Sequence, residues 1–287
     1  MLFRSHLGTY AGDFSRLRQA FVEFLQRLPF YGLAVLCIDD PHVRAITAKV
    51  QRPLITYGTR PGADVRASDI EQDGMQMRFS VDIKGVEQWR SVILNQPGEH
   101  NVLNACAAIA VARELGVGKD AIIEALASFS GIGRRFQVTG RLTLGDGDVI
   151  LVDDYGHHPC EIRATVAAAR RGWPDRRLVL AFQPHRYSRT RDLLDDFSMV
   201  LQEIDPLIIT EVYSAGESFI AGADGRALCR TIRARGRANP IFVENLDTLP
   251  ELLSKVLRPN DLLLTMGAGS IGQIAAALPQ VLVEKCR

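Results

Sequence analysis

The apolar run Leu178-Val179-Leu180-Ala181-Phe182 is followed directly by a basic turn, Gln183-Pro184-His185-Arg186-Tyr187-Ser188-Arg189-Thr190-Arg191. The run is short and bounded by Arg177 and Pro184, which is typical of a buried parallel strand. Ligands of open α/β sheets bind where such strands end. The three arginines at this strand end require an anion to face them. The stretch therefore predicts a parallel sheet with a phosphate-handling active site at its edge.

A second strand end carries complementary chemistry. Residues 149–152 form another strand-like run, and it leads into Asp153-Asp154-Tyr155-Gly156-His157-His158-Pro159. Because parallel strands end at the same edge of a sheet, the two runs bring acids, histidines and arginines to one rim. A simpler interpretation of Asp153 or Asp154 is a helix cap ahead of Pro159.

Strand and helix patterns alternate through the second half of the chain, which predicts βαβ units and a parallel sheet. The predicted strands are 149–152, 178–182, 207–210, 241–243 and 262–266, and the predicted helices are 159–171, 190–201, 224–235, 249–256 and 272–277. The first half predicts helices at 14–28, 98–116 and 119–129, a strand at 32–38, and antiparallel hairpins between Ile55 and Leu94. Two glycines in Ser130-Gly131-Ile132-Gly133-Arg134-Arg135 predict a hinge or domain boundary.

Composition narrows the class of protein. The 287 residues carry a net charge of +1 and are 47% hydrophobic, so the chain is long enough for two domains. The charge balance argues against nucleic acid or a membrane surface as the main partner. The first residues lack the continuous apolar core that a signal peptide needs, and no apolar run approaches about 18 residues, so neither a signal peptide nor a membrane helix is expected. Five dispersed cysteines without a C-x-x-C pair indicate reduced thiols and a cytoplasmic protein.

Two glycine motifs are partly similar to known nucleotide-binding motifs. Gly267-Ala268-Gly269-Ser270-Ile271-Gly272 matches G-x-G-x-x-G, but only 15 residues follow it, too few for the ribose-binding acid expected about 20 positions later. It is better explained as an amide nest at a helix start or as tight packing. Gly116-Val117-Gly118-Lys119-Asp120 lacks the first glycine and the Ser or Thr of a P-loop.

Other groupings left alternatives open. Arg186 and Arg189 are three residues apart and share a face if the helix after this strand already includes them. The Arg191 side chain is interpreted as exposed to solvent. Asn101 is interpreted as a possible helix N-cap, and Asn104 needs a partner. A metal-dependent phosphohydrolase is a competing hypothesis, based on Asp153, Asp154, His157, His158 and His185.

Six motifs in order resemble the Mur ligases, and the similarity runs from Thr9-Tyr10-Ala11-Gly12-Asp13-Phe14 over nearly the whole chain. The motifs are Gly98-Glu99-His100-Asn101-Val102-Leu103-Asn104, Gly131-Ile132-Gly133-Arg134-Arg135-Phe136, Asp153 to Pro159, Gln183 to Arg191, Glu211-Val212-Tyr213-Ser214-Ala215-Gly216-Glu217 and Gly267-Ala268-Gly269. Each motif alone is weak, but six in order are specific.

The resemblance implies an activity and a fold. Within the family the motifs are most similar to the enzymes that join L-alanine to the lactyl carboxylate of UDP-N-acetylmuramate, with ATP and Mg²⁺, in peptidoglycan precursor synthesis. The resemblance implies an α/β fold. Residues 1–133 are expected to form part of the central ATPase domain, which has a mixed sheet with helices. A Rossmann-like, mostly parallel C-terminal ligase domain is expected at residues 134–287.

The resemblance also assigns residues. Asn101 is expected to read the adenine edge with His100 beside it, Asp154 to hold the ribose, and Arg135 to reach the nucleotide phosphates. The carboxylate and the incoming amino acid are expected beside Tyr155, His157, Arg186 and Arg189, of which His157, Arg186 and Arg189 are the catalytic candidates. His6 matches the family's metal-binding histidine, although Ser5 and Gly8 replace its usual acidic neighbours.

Two family features have no counterpart in the sequence: the UDP-sugar domain and the lysine P-loop. The expectation is therefore an N-terminally truncated ligase with weak or no activity as a lone chain, because losing electrostatic positioning of the γ-phosphate typically costs several kcal/mol of barrier. A non-catalytic fragment and the ligase that recycles murein tripeptide are the alternatives. The sequence leaves the oligomeric state open.

Overall fold

The computed structural model describes residues 13–285, which divide into two units between Ser130 and Gly131. Each unit has its own sheet and its own hydrophobic core. Over residues 13–285, no helix has both the length and the apolar character needed to span a bilayer.

The first unit places helices on a sheet that has five strands among its described residues. The carboxylate of Asp13 accepts the backbone N–H groups of Ser15 (2.8 Å) and Arg16 (3.2 Å) and so starts the first helix, and Asp40 starts the second in the same way. The elements are α1 (Phe14–Gln26), β1 (Ala34–Cys37), α2 (Pro41–Thr47), β2 (Leu54–Gly58), β3 (Val65–Asp73), β4 (Gln76–Ile83), β5 (Glu87–Leu94), α3 (Glu99–Glu114) and α4 (Lys119–Ser128).

The sheet order is β1-β2-β3-β4-β5. The predicted antiparallel hairpins are confirmed for β3, β4 and β5. They are wrong for β2, which pairs parallel with both β1 and β3. The chain between β1 and β2 carries α2, and a connection through a helix returns the next strand in the parallel direction.

The core of the first unit lies between this sheet and α3. Met77, Phe79 and Val81 alternate along β4 and are buried, as expected for one face of a strand. Val102 and Ile109 of α3 are fully buried in the same cluster. The first unit therefore has the apolar core of an independent α/β layer.

The second unit contains a sheet of six strands within residues 131–285, in the order β10-β9-β8-β11-β7-β6. All neighbours pair parallel except β6, which runs antiparallel to β7. Its elements are β6 (Gln137–Leu144), β7 (Gly147–Asp154), α5 (Pro159–Gly172), β8 (Arg177–Phe182), α6 (Tyr187–Asp192), α7 (Leu194–Leu201), β9 (Leu207–Thr210), α8 (Gly225–Ala234), β10 (Ile241–Val243), α9 (Leu249–Val256), β11 (Asp261–Met266) and α10 (Ile271–Lys285).

The predicted mostly parallel sheet is confirmed. β11 lies at the centre, with Leu264 in register with Leu180 of β8 on one side and Val152 of β7 on the other. Every residue of β11 is buried, which explains the continuous apolar sequence, because strands covered on both faces do not alternate.

Element ends are shifted at several places in the second unit, most at α10, which continues to Lys285 instead of residue 277. Two further details differ from the prediction. The single helix expected at residues 190–201 is wrong, because the chain forms α6 and α7 and departs from helical geometry at Leu193 (φ −117°). α6 begins three residues earlier than expected, at Tyr187. The second difference is β6, which the sequence did not predict.

The parallel strands all end at one edge of the sheet. β7, β8, β9 and β11 end at Asp154, Phe182, Thr210 and Met266. The loops that follow them are residues 155–158, 183–186, 211–217 and 267–270, so the motifs singled out in the sequence meet at this edge.

Candidate active site

The turn after β8 is held by the loop after β9. Tyr213 donates its backbone N–H to the carbonyl of Pro184 (2.9 Å) and accepts the N–H of Arg186 (2.8 Å). These bonds extend the parallel pairing beyond the strands, through a bridge between His185 and Tyr213. Arg186 has φ 72°, a left-handed conformation that is uncommon outside glycine. The loop after β9 therefore fixes the direction in which the Arg186 side chain leaves the backbone.

Glu217 joins the same loop to the start of α6. Its carboxylate accepts the backbone N–H of Ser188 (3.0 Å) and the Ser188 hydroxyl (2.6 Å). The carboxylate also lies 3.7 Å from Nη1 of Arg186, whose side chain is half exposed. Arg186 is thus an exposed cation with one carboxylate on its inner side.

Arg189 is more enclosed. Its Nη1 lies 3.4 Å from both Nδ1 and the carbonyl oxygen of His185. Its Nε is buried and has no hydrogen-bond partner among residues 13–285. No described carboxylate lies within ion-pair distance of it, and burial lowers the pKa of its guanidinium. An enclosed guanidinium with unmet donors is suited to an anionic ligand.

His185 stacks on Tyr213, with ring centroids 5.5 Å apart. Burial, together with His157 and the arginines beside it, lowers the pKa of His185 to about 4. The contact with Arg189 assigns Nδ1 of His185 as the acceptor, so the proton of the neutral ring is on Nε2. His185 is therefore a neutral hydrogen-bond donor near pH 7.

His157 has the opposite arrangement. Its Nδ1 lies 3.1 Å from the carbonyl oxygen of Tyr155, which can only accept, so Nδ1 carries the proton. Glu161 accepts the His157 backbone N–H at 2.9 Å and fixes the loop. Burial lowers the pKa of His157. The ring is neutral near pH 7, and Nε2 is left as an acceptor, 5.4 Å between centroids from the ring of His185.

Tyr155 completes a row of four rings across the strand ends. Its ring lies edge-on to His157 at 5.5 Å. The guanidinium carbons of Arg134 and Arg135 lie 5.1 and 5.4 Å from its centroid, within the range of cation–π contact. Arg135 is exposed and forms no ion pair with a described residue. The candidates Tyr155, His157, Arg186, Arg189 and Arg135 thus lie along one edge of the second unit.

Arg134 anchors this row to the sheet. Its Nε lies 2.8 Å from the carboxylate of Asp153, which is almost fully buried, and an Nη group donates to the carbonyl of Gly267 at 2.5 Å. Asp153 also accepts the hydroxyl of Thr265 at 2.9 Å. Asp153 therefore connects the turn that precedes β6 to the end of β11.

Asp154 is engaged by its own loop. It accepts the backbone N–H groups of Phe136 (2.8 Å) and Gly156 (2.7 Å), and the hydroxyl of Thr165 lies at 3.4 Å. The interpretation of Asp153 or Asp154 as the cap of α5 is wrong. The N-cap is His158, which accepts the N–H of Cys160 within a capping box completed by Glu161.

The glycine-rich turn after β11 is explained by packing. Gln183 accepts the N–H of Ile271 (2.9 Å) and donates to Ser270. A Cβ on Gly269 would lie 2.5 Å from the Gln183 amide oxygen, and a Cβ on Gly272 would overlap the Arg134 guanidinium. Tight packing, one of the two interpretations left open, accounts for these glycines.

The two adenine candidates lie in the first unit, at the start of α3. The N-cap there is Gly98, so the interpretation of Asn101 as the cap is wrong. Asn101 lies in the first turn and donates its side-chain amide to the Pro97 carbonyl (2.8 Å), while its Oδ1 accepts from Asn104 (3.2 Å). Asn101 is the partner that Asn104 was expected to need. His100 is half-buried beside it.

The metal candidates remain without structural support. His6 lies outside the described residues. Within residues 13–285, no group of three or more His, Cys, Asp or Glu side chains is arranged to hold a metal ion. His157 and His158 diverge, since one faces His185 and the other caps α5.

The sequence did not identify Glu217 or Arg134 as members of the site. Glu217 lies inside a recognised motif. Its carboxylate reaches Ser188, 29 residues away, and the neighbouring Arg186 only because the loop after β9 pairs with the turn after β8. Arg134 was read as part of a hinge. Its ion-pair partner, Asp153, lies 19 residues later in the sequence, and no local sequence pattern predicts such a contact.

The depressed pKa of His185 gives the first prediction. Its imidazole should titrate near pH 4, whereas an unfolded histidine titrates near about 6.5. The unfolded state then binds more protons in that window, so this group's contribution to stability is lost as the pH falls from about 6.5 to 4. Long-range ¹H–¹⁵N spectra, with His185→Gln for assignment, should show the Nε2–H tautomer at pH 7. A midpoint near 6.5 would contradict the enclosed site.

Comparison with known proteins adds two family matches. Residues 2–112 match the Mur ligase middle domain, and residues 134–269 match the Mur ligase glutamate ligase domain. A UDP-N-acetylmuramate–L-alanine ligase from Methylococcus capsulatus is 56% identical over 277 residues, covering 96% of this chain and 58% of the relative. The enzyme of the same name from Halorhodospira halophila is 59% identical over 273 residues, covering 95% and 56%.

Among solved structures, the UDP-N-acetylmuramate–alanine ligase from Thermotoga maritima superposes with a TM-score of 0.72 at 28% identity. The match covers 95% of this chain and 56% of that one. This chain spans a little over half the length of the relatives it matches.

Proposed function

Because the chain belongs to the Mur ligase family, we propose that it serves the ATP-dependent joining of L-alanine to UDP-N-acetylmuramate in the cytoplasm. The observation that carries the proposal is Arg189, an enclosed guanidinium whose Nε has no partner among the described residues. It lies with Arg186 at the carboxyl ends of parallel strands, where α/β sheets bind ligands. A substrate carboxylate and a leaving phosphate are the anions that such a pair accommodates.

The proposed role of His157 is to accept a proton at Nε2. Its Nδ1–H is held by the Tyr155 carbonyl, and burial keeps the ring neutral near pH 7. As the alanine nitrogen attacks the activated carboxyl carbon, a C–N bond forms and the C–O bond to phosphate breaks. The nitrogen must lose a proton in this step, and a positioned neutral imidazole can take it.

The proposed role of Arg186 and Arg189 is electrostatic. Negative charge develops on the carboxyl oxygen during the attack and leaves with the phosphate. Fixed positive groups in a water-poor site stabilise such charge more strongly than solvent does. Since His157 and His185 are neutral near pH 7, the positive charge beside them comes from Arg186 and Arg189.

ATP supplies the phosphoryl group that activates the carboxylate. Arg135 fits a phosphate, since its guanidinium is exposed and lies against Tyr155. Asn101 and His100 stay the proposed adenine contacts. Asp154 fits the ribose poorly, because backbone N–H groups already bond both of its oxygens; we propose that it holds the loop that carries Arg135. Among the described residues, no group of three or more His, Cys, Asp or Glu side chains is arranged to hold Mg²⁺.

The test is L-alanine-dependent phosphate release from ATP with Mg²⁺ and UDP-N-acetylmuramate. It is run on this chain and on a fusion that joins to it the part of the Methylococcus capsulatus relative that this chain does not match. The intact relative is the positive control. We expect release by the fusion and weaker release, or none, by the chain alone.

The outcomes separate the alternatives. A folded fusion that releases no phosphate while the intact relative does so would overturn the ligase proposal and favour a non-catalytic fragment. Release with murein tripeptide in place of L-alanine would assign the recycling reaction instead. Turnover by the chain alone would support the ligase and show that these residues organise ATP unaided.

A further inference from the structure

Glu217 contacts residues of the candidate active site but has no role in the proposed reaction so far. It is partly buried, with 23% of its side chain exposed, and its two oxygens accept two groups at the start of α6, the backbone N–H and the hydroxyl of Ser188. The same carboxylate lies 3.7 Å from Arg186. A carboxylate that hydrogen-bonds a helix start and forms an ion pair with an arginine restricts their relative positions.

The backbone of Arg186 has an uncommon conformation that the loop after β9 holds in place. Arg186 is the N-cap residue of α6 and has a left-handed φ of 72°, which persists only where neighbouring structure imposes it. The Tyr213 carbonyl holds its N–H, and Glu217, four residues further along the same loop, holds Ser188. The loop therefore clamps both sides of Arg186.

Given the proposed function, we propose that Glu217 is the positioning residue of the active site, whose charge holds the Arg186 guanidinium in one orientation toward the substrate carboxylate or leaving phosphate. A mobile arginine pays side-chain entropy when it meets its ligand, whereas an oriented one does not. Glu217 acts through Arg186 and need not touch the substrate.

The charged groups around Glu217 agree with this role. Arg186, Arg189 and His185 face it from the turn after β8, and the N–H groups of α6 face it from the helix start. Although burial opposes ionisation, the hydrogen bonds from Ser188 and the charge of Arg186 keep the pKa of Glu217 below its usual value. The carboxylate is therefore ionised at pH 7.

The first test uses this chain and no substrate. Glu217→Gln retains an oxygen for the Ser188 N–H and removes the charge, and Glu203→Gln is the matched control, since Glu203 pairs with Arg237 (2.6 Å) on the surface. The readout is the ¹⁵N relaxation of the Arg186 Nε–H group, assigned by its loss in Arg186→Lys. We expect an ordered group in the wild type and in Glu203→Gln, and a mobile one in Glu217→Gln. Acidification through the titration of Glu217 should release Arg186 in the wild type and in Glu203→Gln, whereas in Glu217→Gln the group should be mobile before acid is added.

The second test uses the ligase fusion. Glu217→Gln should lower kcat about tenfold with KM for UDP-N-acetylmuramate within about twofold, because a misdirected arginine weakens transition-state contacts more than binding. An Arg186 group equally ordered in wild type and Glu217→Gln would overturn the positioning role whatever the activity. If Arg186 is ordered in the wild type and mobile in Glu217→Gln, but the fusion has no ligase activity, the positioning role would stand and the proposed function would be rejected.

Discussion

Replacing Arg134 by alanine is expected to lower the free energy of unfolding of the second unit by about 3 kcal/mol, the scale for breaking a buried ion pair on one side. Asp153 is nearly fully buried, and its carboxylate bonds Nε of Arg134 at 2.8 Å. Without the arginine, an ionised carboxylate remains in an apolar sheet with only the hydroxyl of Thr265 beside it. The bond to the Gly267 carbonyl is lost as well.

The measurement is urea unfolding followed by the fluorescence of Trp173. The chain contains two tryptophans, so Trp89→Phe leaves Trp173 as the reporter. Trp173 stacks on Phe136 at 6.1 Å, close to the turn that carries Arg134. Arg237→Ala is the matched control, because its ion pair with Glu203 is mostly exposed and should change stability by less than about 1 kcal/mol.

A double variant identifies the cause. Arg134→Ala with Asp153→Ala should recover part of the loss, because the uncompensated charge disappears with its partner. If Arg134→Ala alone costs no more than Arg237→Ala, the ion pair contributes nothing and the connection between β6 and β11 must rest on other contacts.

The sequence predicted the buried part of the fold well. β9 and β10 match their predicted bounds, and β11 differs by one residue. β9 and β11 are covered on both faces, so continuous apolar residues mark them, whereas β10 is a short edge strand on which Ile241 is exposed. β6 escaped prediction because it lies at the edge of the sheet, where Gln137, Thr139 and Arg141 are not buried and give no such run. Its position is set by pairing with β7, a tertiary effect.

The site was predictable to the extent that it lies at strand ends. Tyr155, His157, Arg186 and Arg189 follow β7 and β8 directly, so topology alone brings them to one edge. The partners of these residues were not predictable. Asp154 looked like a cap and instead bonds Phe136, 18 residues earlier, and Glu217 reaches Ser188 across 29 residues. Such contacts depend on loop conformations that hydrophobic periodicity does not encode.

Arg189→Ala is expected to lower kcat for L-alanine-dependent phosphate release by about 10²–10³, the range for losing one fixed group that stabilises developing negative charge. Arg189 is enclosed, has an unpartnered Nε, and sits between His185 and the charge of Arg186. Arg189→Lys retains the charge without the planar set of donors and should recover only part of the loss. The assay is the ligase fusion defined above.

Arg191→Ala is the matched control on the same helix. Arg191 is exposed and pairs with its neighbour Asp192 at 2.8 Å, and such surface pairs contribute little, so its kcat should stay within about twofold of wild type. Circular dichroism and Trp173 fluorescence check that each variant folds. Equal losses in Arg189→Ala and Arg191→Ala would mean that the basic turn acts by its overall charge. A large loss in Arg189→Ala alone would instead assign the effect to a single guanidinium facing the reacting atoms, because both variants remove one positive charge from the same turn.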